Sequence, residues 1–166
     1  MNESKYYAGI GSRETPEDIL LLMKKIAIRL SEMGYTLRSG HAGGADLAFE
    51  SGATKAEIWL PWESFNKQHP RLDSHIHRVL DPRDQEALDS VARFHPMERK
   101  LPSAVQKLMA RNYRQIVGGV NSPKDSEFVI CWTKDGKFSG GTGQALRISE
   151  SRKIKIYNLK NDRSWG

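Results

Sequence analysis

The stretch Lys5-Tyr6-Tyr7-Ala8-Gly9-Ile10-Gly11 reads as a strand ending in a glycine turn, and the next segment reads as a helix leading back to a second strand, Tyr35-Thr36-Leu37-Arg38-Ser39. The helix is set by Ile19, Met23, Ile26, Leu30 and Met33 at helical spacing, with Lys24, Lys25, Arg29 and Glu32 on the outer face. Thr15 is expected as its N-cap, Pro16 at its first helical position and Gly34 as its stop. Strand, helix and strand in so short a span make a crossover unit, and a crossover joins parallel strands. Parallel strands need helices over both faces, so the chain is expected to be an α/β protein.

The second strand runs into Ser39-Gly40-His41-Ala42-Gly43-Gly44-Ala45-Asp46-Leu47-Ala48-Phe49-Glu50, a glycine-rich bend followed by a helix. Gly40, Gly43 and Gly44 allow a ligand close to the main chain, and the helix start offers unpaired N–H groups to an anion. Asp46 and Glu50 stand one helical turn apart, which suits both carboxylates to sugar hydroxyls, or to acid–base work if there is catalysis. Gly9-Ile10-Gly11-Ser12-Arg13 is a second such bend, and Ser139-Gly140-Gly141-Thr142-Gly143-Gln144-Ala145-Leu146 is a third glycine cluster, again after a strand and again opening a helix. In open parallel sheets ligands collect beyond the carboxyl ends of the strands, where these bends are expected to meet.

Ala56 to Trp62 reads as a third buried strand, and the polar run from Glu63 to Arg83 as a surface excursion, with a lid as one reading. Asp84 to Phe94 and Pro102 to Val117 have helical patterns, the second carrying Arg111, Asn112 and Arg114. Glu127 to Thr133 is an apolar strand of the kind buried on both faces, and Lys153 to Leu159 an edge strand with alternating lysines. One domain over residues 1–160 is expected, with 161–166 as a loose tail.

The 166 residues suffice for one buried core, and no apolar run reaches the roughly 20 residues of a membrane span. A soluble, cytoplasmic protein with no membrane partner is therefore expected. The net charge of +6 favours anionic partners, but the basic residues are dispersed rather than gathered into a nucleic-acid tail. Cys131, set in Phe128-Val129-Ile130-Cys131-Trp132, is expected to pack as a small hydrophobe. Asp73, His75 and His77 lack a third ligand at a defensible spacing, so neither a metal nor another cofactor is expected.

Ser39 to Asp46 resembles the Ser-Gly-x-Ala-x-Gly-x-Asp loop of the DNA-processing protein A family, and Arg111-Asn112-Tyr113-Arg114 resembles that family's Arg-Asn-Arg helix segment. Ser139-Gly140 followed by Ala145 is similar to its later Ser-Gly turn. More broadly the chain resembles the SLOG superfamily, including its stand-alone, phage-type branch. This implies a single Rossmann-like, doubly wound, mostly parallel sheet with helices on both faces. The superfamily's phosphoribohydrolases have a catalytic glutamate in the last glycine motif, where this chain has Arg147.

The expected function is binding of a nucleotide-derived small molecule, as a sequestering or sensing protein or as an N-glycosidic hydrolase using Asp46 or Glu50. Backbone donors would come from Gly11, Ser12, Ser39, Gly40, Gly43, Gly44, Gly140, Gly141, Thr142 and Gly143, and charge from Arg13 and Arg111. The rival expectation is single-stranded DNA binding of the DNA-processing type, which wants exposed aromatic platforms. Tyr113, Phe138 and Trp165 are the candidates for those, since the aromatics in or beside strands are expected to be buried. A homodimer or higher homo-oligomer is implied by the resemblance.

Overall fold

A computed structural model describes residues 4–67, 76–94, 101–121 and 123–161. In chain order its elements are β1 (Lys5–Gly9), α1 (Glu17–Glu32), β2 (Tyr35–Ser39), α2 (Ala45–Gly52), β3 (Ala56–Leu60), β4 (His77–Val79), α3 (Gln85–Phe94), α4 (Ser103–Val117), β5 (Phe128–Cys131), α5 (Gly140–Ser151) and β6 (Lys155–Asn158). The strands form one 6-stranded sheet in the order β4-β3-β2-β1-β5-β6. Every pairing is parallel, with Tyr7 opposite Leu37 and Ala8 opposite Val129. This is the doubly wound α/β architecture expected from the crossover unit.

Alternation along the strands explains the two layers. Tyr7, Leu37, Ile58 and Ile130 point to one face, where Ile19, Met23 and Ala27 of α1 and Phe49 of α2 bury them. Ala8, Val129 and Cys131 point to the other, against Ile116 and Val117 of α4 and Leu146 and Ile148 of α5. Cys131 is buried as expected, and burial pushes its thiol up to about 12, so it stays protonated at neutral pH. A third cluster, Leu80, Ala87, Val91 and Ala110, joins α3 to α4. The Arg114 guanidinium clamps the same joint by donating to both oxygens of Asp84, at 2.8 and 2.9 Å.

Two local expectations need correction. Thr15 does not cap α1: the helix begins at Glu17 with Pro16 at the cap position, and the Thr15 hydroxyl donates instead to the Ser12 carbonyl at 2.6 Å. Thr15 is buried inside the bend after β1, with its hydroxyl committed to that bend. Part of the polar excursion is a strand. β4 has only three residues, His77-Arg78-Val79, too short and too polar to show strand alternation, and it adds to the sheet because Ile58 N–H donates to the Ile76 carbonyl and Leu80 N–H to that of Leu60. The lid reading for the remainder falls largely on residues 68–75, outside the described residues, as do Asp73 and His75. Gly140 to Gly143 form the first turn of α5, as expected of a glycine cluster that opens a helix. No described helix is long and apolar enough to cross a membrane.

Candidate functional site

Strand order reverses between β1 and β5, because β1 leads leftward to β2 while β5 arrives on its other side. Two neighbouring strands whose connections leave in opposite directions leave a gap above their carboxyl ends. A cavity of about 480 Å³ occupies it, within the range of small-ligand pockets. Gly11, Ser12 and Arg13 line it from the loop after β1, Ala42 and Asp46 from the bend after β2, and Thr133 and Lys134 from the loop after β5. The helices add Met109, Arg111, Asn112 and Gln115 of α4, and Gly140, Gly141 and Thr142 of α5.

The expected site residues thus divide. Gly11, Ser12, Arg13, Asp46, Arg111, Gly140, Gly141 and Thr142 are brought together; Ser39, Gly40, Gly43, Gly44, Gly143 and Glu50 are not among the lining. The excluded residues mostly build the frame. The Ser39 hydroxyl donates to the Gly9 carbonyl at 2.6 Å, locking β2 to β1. A Cβ on Gly40 would fall on the Arg111 guanidinium, 2.7 Å from Cζ, and one on Gly143 would lie 2.6 Å from the Phe138 carbonyl oxygen. Glu50 is bonded to His41 Nδ1 at 2.9 Å and does not line the crevice beside Asp46. Gly43 has open space around it.

Arg111 is the keystone of the floor. Its Nη1 donates to the carbonyls of Gly40 at 2.7 Å and Trp59 at 2.9 Å, and its Nε to Asn112 Oδ1 at 2.9 Å, so one side chain of α4 ties the ends of β2 and β3. Only 5% of it is exposed, and Cζ lies 5.1 Å from the centre of the Phe65 ring. Burial lowers its pKa to about 10; the Asp46 charge opposes that shift and the positive charge of Arg13 adds to it. Arg13 is exposed and has no hydrogen bond or ion pair among the described residues. Asp46 is also buried, and one of its oxygens accepts the Ala42 N–H at 3.2 Å. Burial raises its pKa to about 6, while Arg111 and the Ala42 and Gly40 amides pull it back and Glu50 pushes it further up.

Across the crevice, the first turn of α5 presents its N–H groups without a side-chain cap. Ser139 stands at the cap position, but its hydroxyl donates to Asp135 at 2.8 Å instead. The N-terminal partial charge of α5 therefore faces the same space as Arg13. Asn112 joins the two walls, its Nδ2 donating to the Gly141 carbonyl at 3.3 Å and to Gln144 Oε1 at 3.2 Å. The amide nitrogens of Gln115 and Gln144 are buried without a hydrogen-bond partner among the described residues.

Sequence reasoning did not assign Asn112, Gln115, Met109 or Lys134 to the site. Gln115 stands four residues after Arg111 and so shares its helix face, a signal open to detection; Lys134, in the loop after β5, carries none. The expected aromatic platforms are corrected. Tyr113 and Phe138 are half-buried against the core, the Tyr113 hydroxyl donating to Glu86 at 2.5 Å, and Trp165 lies outside the described residues. Among the described residues no group of three or more His, Cys, Asp and Glu could hold a metal ion.

No family model matches the sequence, and no curated protein matches it. Among solved structures the fold is similar to that of DNA processing protein A from Helicobacter pylori, a protein described for its single-stranded DNA binding mode. The TM-score is 0.62 at 17% identity, over 96% of this chain and 67% of that one. At this identity the likeness concerns the fold.

Proposed function

We propose, from the likeness in fold to a single-stranded DNA-binding protein, that the crevice at the strand-order reversal seats a phosphate-bearing unit of single-stranded DNA. The observation that carries the reading is the positive charge gathered on one cavity, unpartnered Arg13, buried Arg111 and the uncapped first turn of α5, which outweighs the carboxylates of Asp46 and Glu14 in the same lining. Two guanidiniums that repel one another in a partly dry site cost free energy when the site is empty. An anion between them reverses the sign of that interaction. Met109 and Leu108 supply the apolar part of the wall, so a base would rest on aliphatic side chains rather than stack on a ring. That favours weak base preference over sequence reading.

Fluorescence anisotropy with a labelled oligothymidylate tests this. Arg13→Ala is expected to weaken binding about tenfold without loss of fold, since one charge-assisted contact is worth roughly 1.5 kcal/mol or more. Affinity should fall with added salt, and fall less steeply in the variant.

A second reading, a free nucleotide-derived molecule held for sequestration, sensing or N-glycosidic cleavage, is favoured by the cavity volume, which suits a single small ligand. A mononucleotide that binds tightly and competes with the oligonucleotide would favour it. Chromatography of the recovered ligand then separates the cases: intact ligand means binding alone, and a released base means that Asp46, the one candidate catalytic carboxylate lining the crevice, is at work.

A further inference from the structure

Asp46 is out of keeping with an anion seat. It puts a buried carboxylate into the lining of a cavity whose other charged floor residue, Arg111, would hold a phosphate. Yet no hydrogen bond or ion pair joins it to Arg111. The Nε and Nη1 hydrogens go to Asn112 and to the carbonyls of Gly40 and Trp59, leaving those on Nη2, while the carboxylate takes its hydrogen bond from the Ala42 backbone. The two side chains are coupled through charge alone, so Asp46 can lose its charge without releasing Arg111 from its place.

We propose that binding at this crevice is proton-coupled: an anion seated on Arg111 and Arg13 and a proton on Asp46 enter together, because carboxylate and ligand compete for one buried guanidinium. The proposal rests on the anion-binding reading above. The charged groups acting on Asp46 are Arg111 from α4 and Glu50 from its own helix, with Arg13 acting on Arg111 from the loop after β1. Glu50 in turn is held by His41. Burial leaves Asp46 protonated in part of the molecules near neutral pH, its pKa standing at about 6. A phosphate beside Arg111 offsets the charge that now helps the carboxylate to ionise, and adds a negative charge of its own. Both effects raise the Asp46 pKa, so binding takes up a proton. A phosphodiester does not itself titrate in this range, so the proton goes to the protein. Affinity therefore strengthens as pH falls between the bound and free values, by up to tenfold per pH unit.

The test is anisotropy with the same oligothymidylate from about pH 8.5 to about pH 5.5 at constant ionic strength, for the wild-type chain and Asp46→Asn. Asparagine keeps an acceptor for the Ala42 N–H and cannot titrate. Wild-type affinity is expected to rise several-fold on acidification, and the variant is expected to bind with little pH dependence, at neutral pH more tightly than wild type. A pH slope that survives in Asp46→Asn overturns the proposal. Wild-type calorimetry in two buffers of different ionisation enthalpy counts the proton without relying on any variant. Uptake of a fraction of a proton near pH 7 supports the coupling, and binding with none overturns it. An oligonucleotide that binds with no pH dependence sinks the coupling alone, whereas one that fails to bind at any pH sinks the anion-binding reading with it.

Discussion

At Gly44 a Cβ would lie 2.7 Å from the Ser12 carbonyl oxygen, whereas at Gly140 nothing stands within 4 Å and at Gly141 only the Met109 methyl comes near, at 3.8 Å. The bend after β2 and the first turn of α5 look alike in sequence, yet their glycines answer to different needs. In the bend after β2, glycine lets protein approach protein: Gly44 admits the β1 loop and Gly40 admits Arg111 and Gln115. In α5 the side of the helix turned to the crevice is left clear for something that is not protein. A glycine motif thus marks close approach without saying what approaches.

Substitutions separate the two cases. Gly44→Ala should have the largest effect, since φ is +79° and the added carbon meets backbone that cannot rotate away; a loss of about 3 kcal/mol or more in chemical denaturation is expected. A loss below about 1 kcal/mol would break the contrast.

Asp46 gives the next effect, and it depends on pH. Its folded-state pKa, about 6, lies above the ordinary value of 3.8, so the native state binds the proton more tightly than the unfolded chain. The wild type should therefore gain stability relative to Asp46→Asn by about 1.4 kcal/mol for each pH unit of acidification below 6, levelling off near 3.8. Denaturation midpoints of the two chains at several pH values check this; parallel curves would refute it.

Gly140→Ala has room for the methyl but sits at φ +65°, so a cost of about 1 kcal/mol is expected from backbone strain alone. Gly141→Ala should be the mildest, within about 0.5 kcal/mol of wild type in stability because it meets only ordinary contact. Oligonucleotide affinity should nevertheless drop severalfold, since the methyl intrudes where a ligand would meet the α5 amides. If Gly141→Ala binds normally, that wall is not part of the seat.

Much of the fold was legible because its signals are periodic. Ile19, Met23 and Leu30 announce α1, the unbroken Phe128 to Trp132 run announces a strand covered on both faces, and the short spans between strands leave only parallel connections. β4 stayed hidden because three residues, two of them polar, carry no period, and only the edge of β3 makes a strand of them. Of the site, Arg13 and Arg111 and the three bends could be named in advance. Their division into lining and frame could not, and Glu50 shows why. A carboxylate one turn from Asp46 on the same helix shares its side of that helix in sequence, but the bend turns His41 back onto it at φ +60° and takes it out of the crevice.

The sequence by itself determined the parallel sheet, its two helical layers and the placing of glycine bends at strand ends, since those come from local periodicity and chain connectivity. Only the tertiary structure decided which bends face a ligand and which face each other, because that depends on strand order. With β5 beside β1, α4 carries Arg111 under the end of β2, and a guanidinium that could have met solvent becomes the buried charge on which Asp46 and the proposed anion both depend.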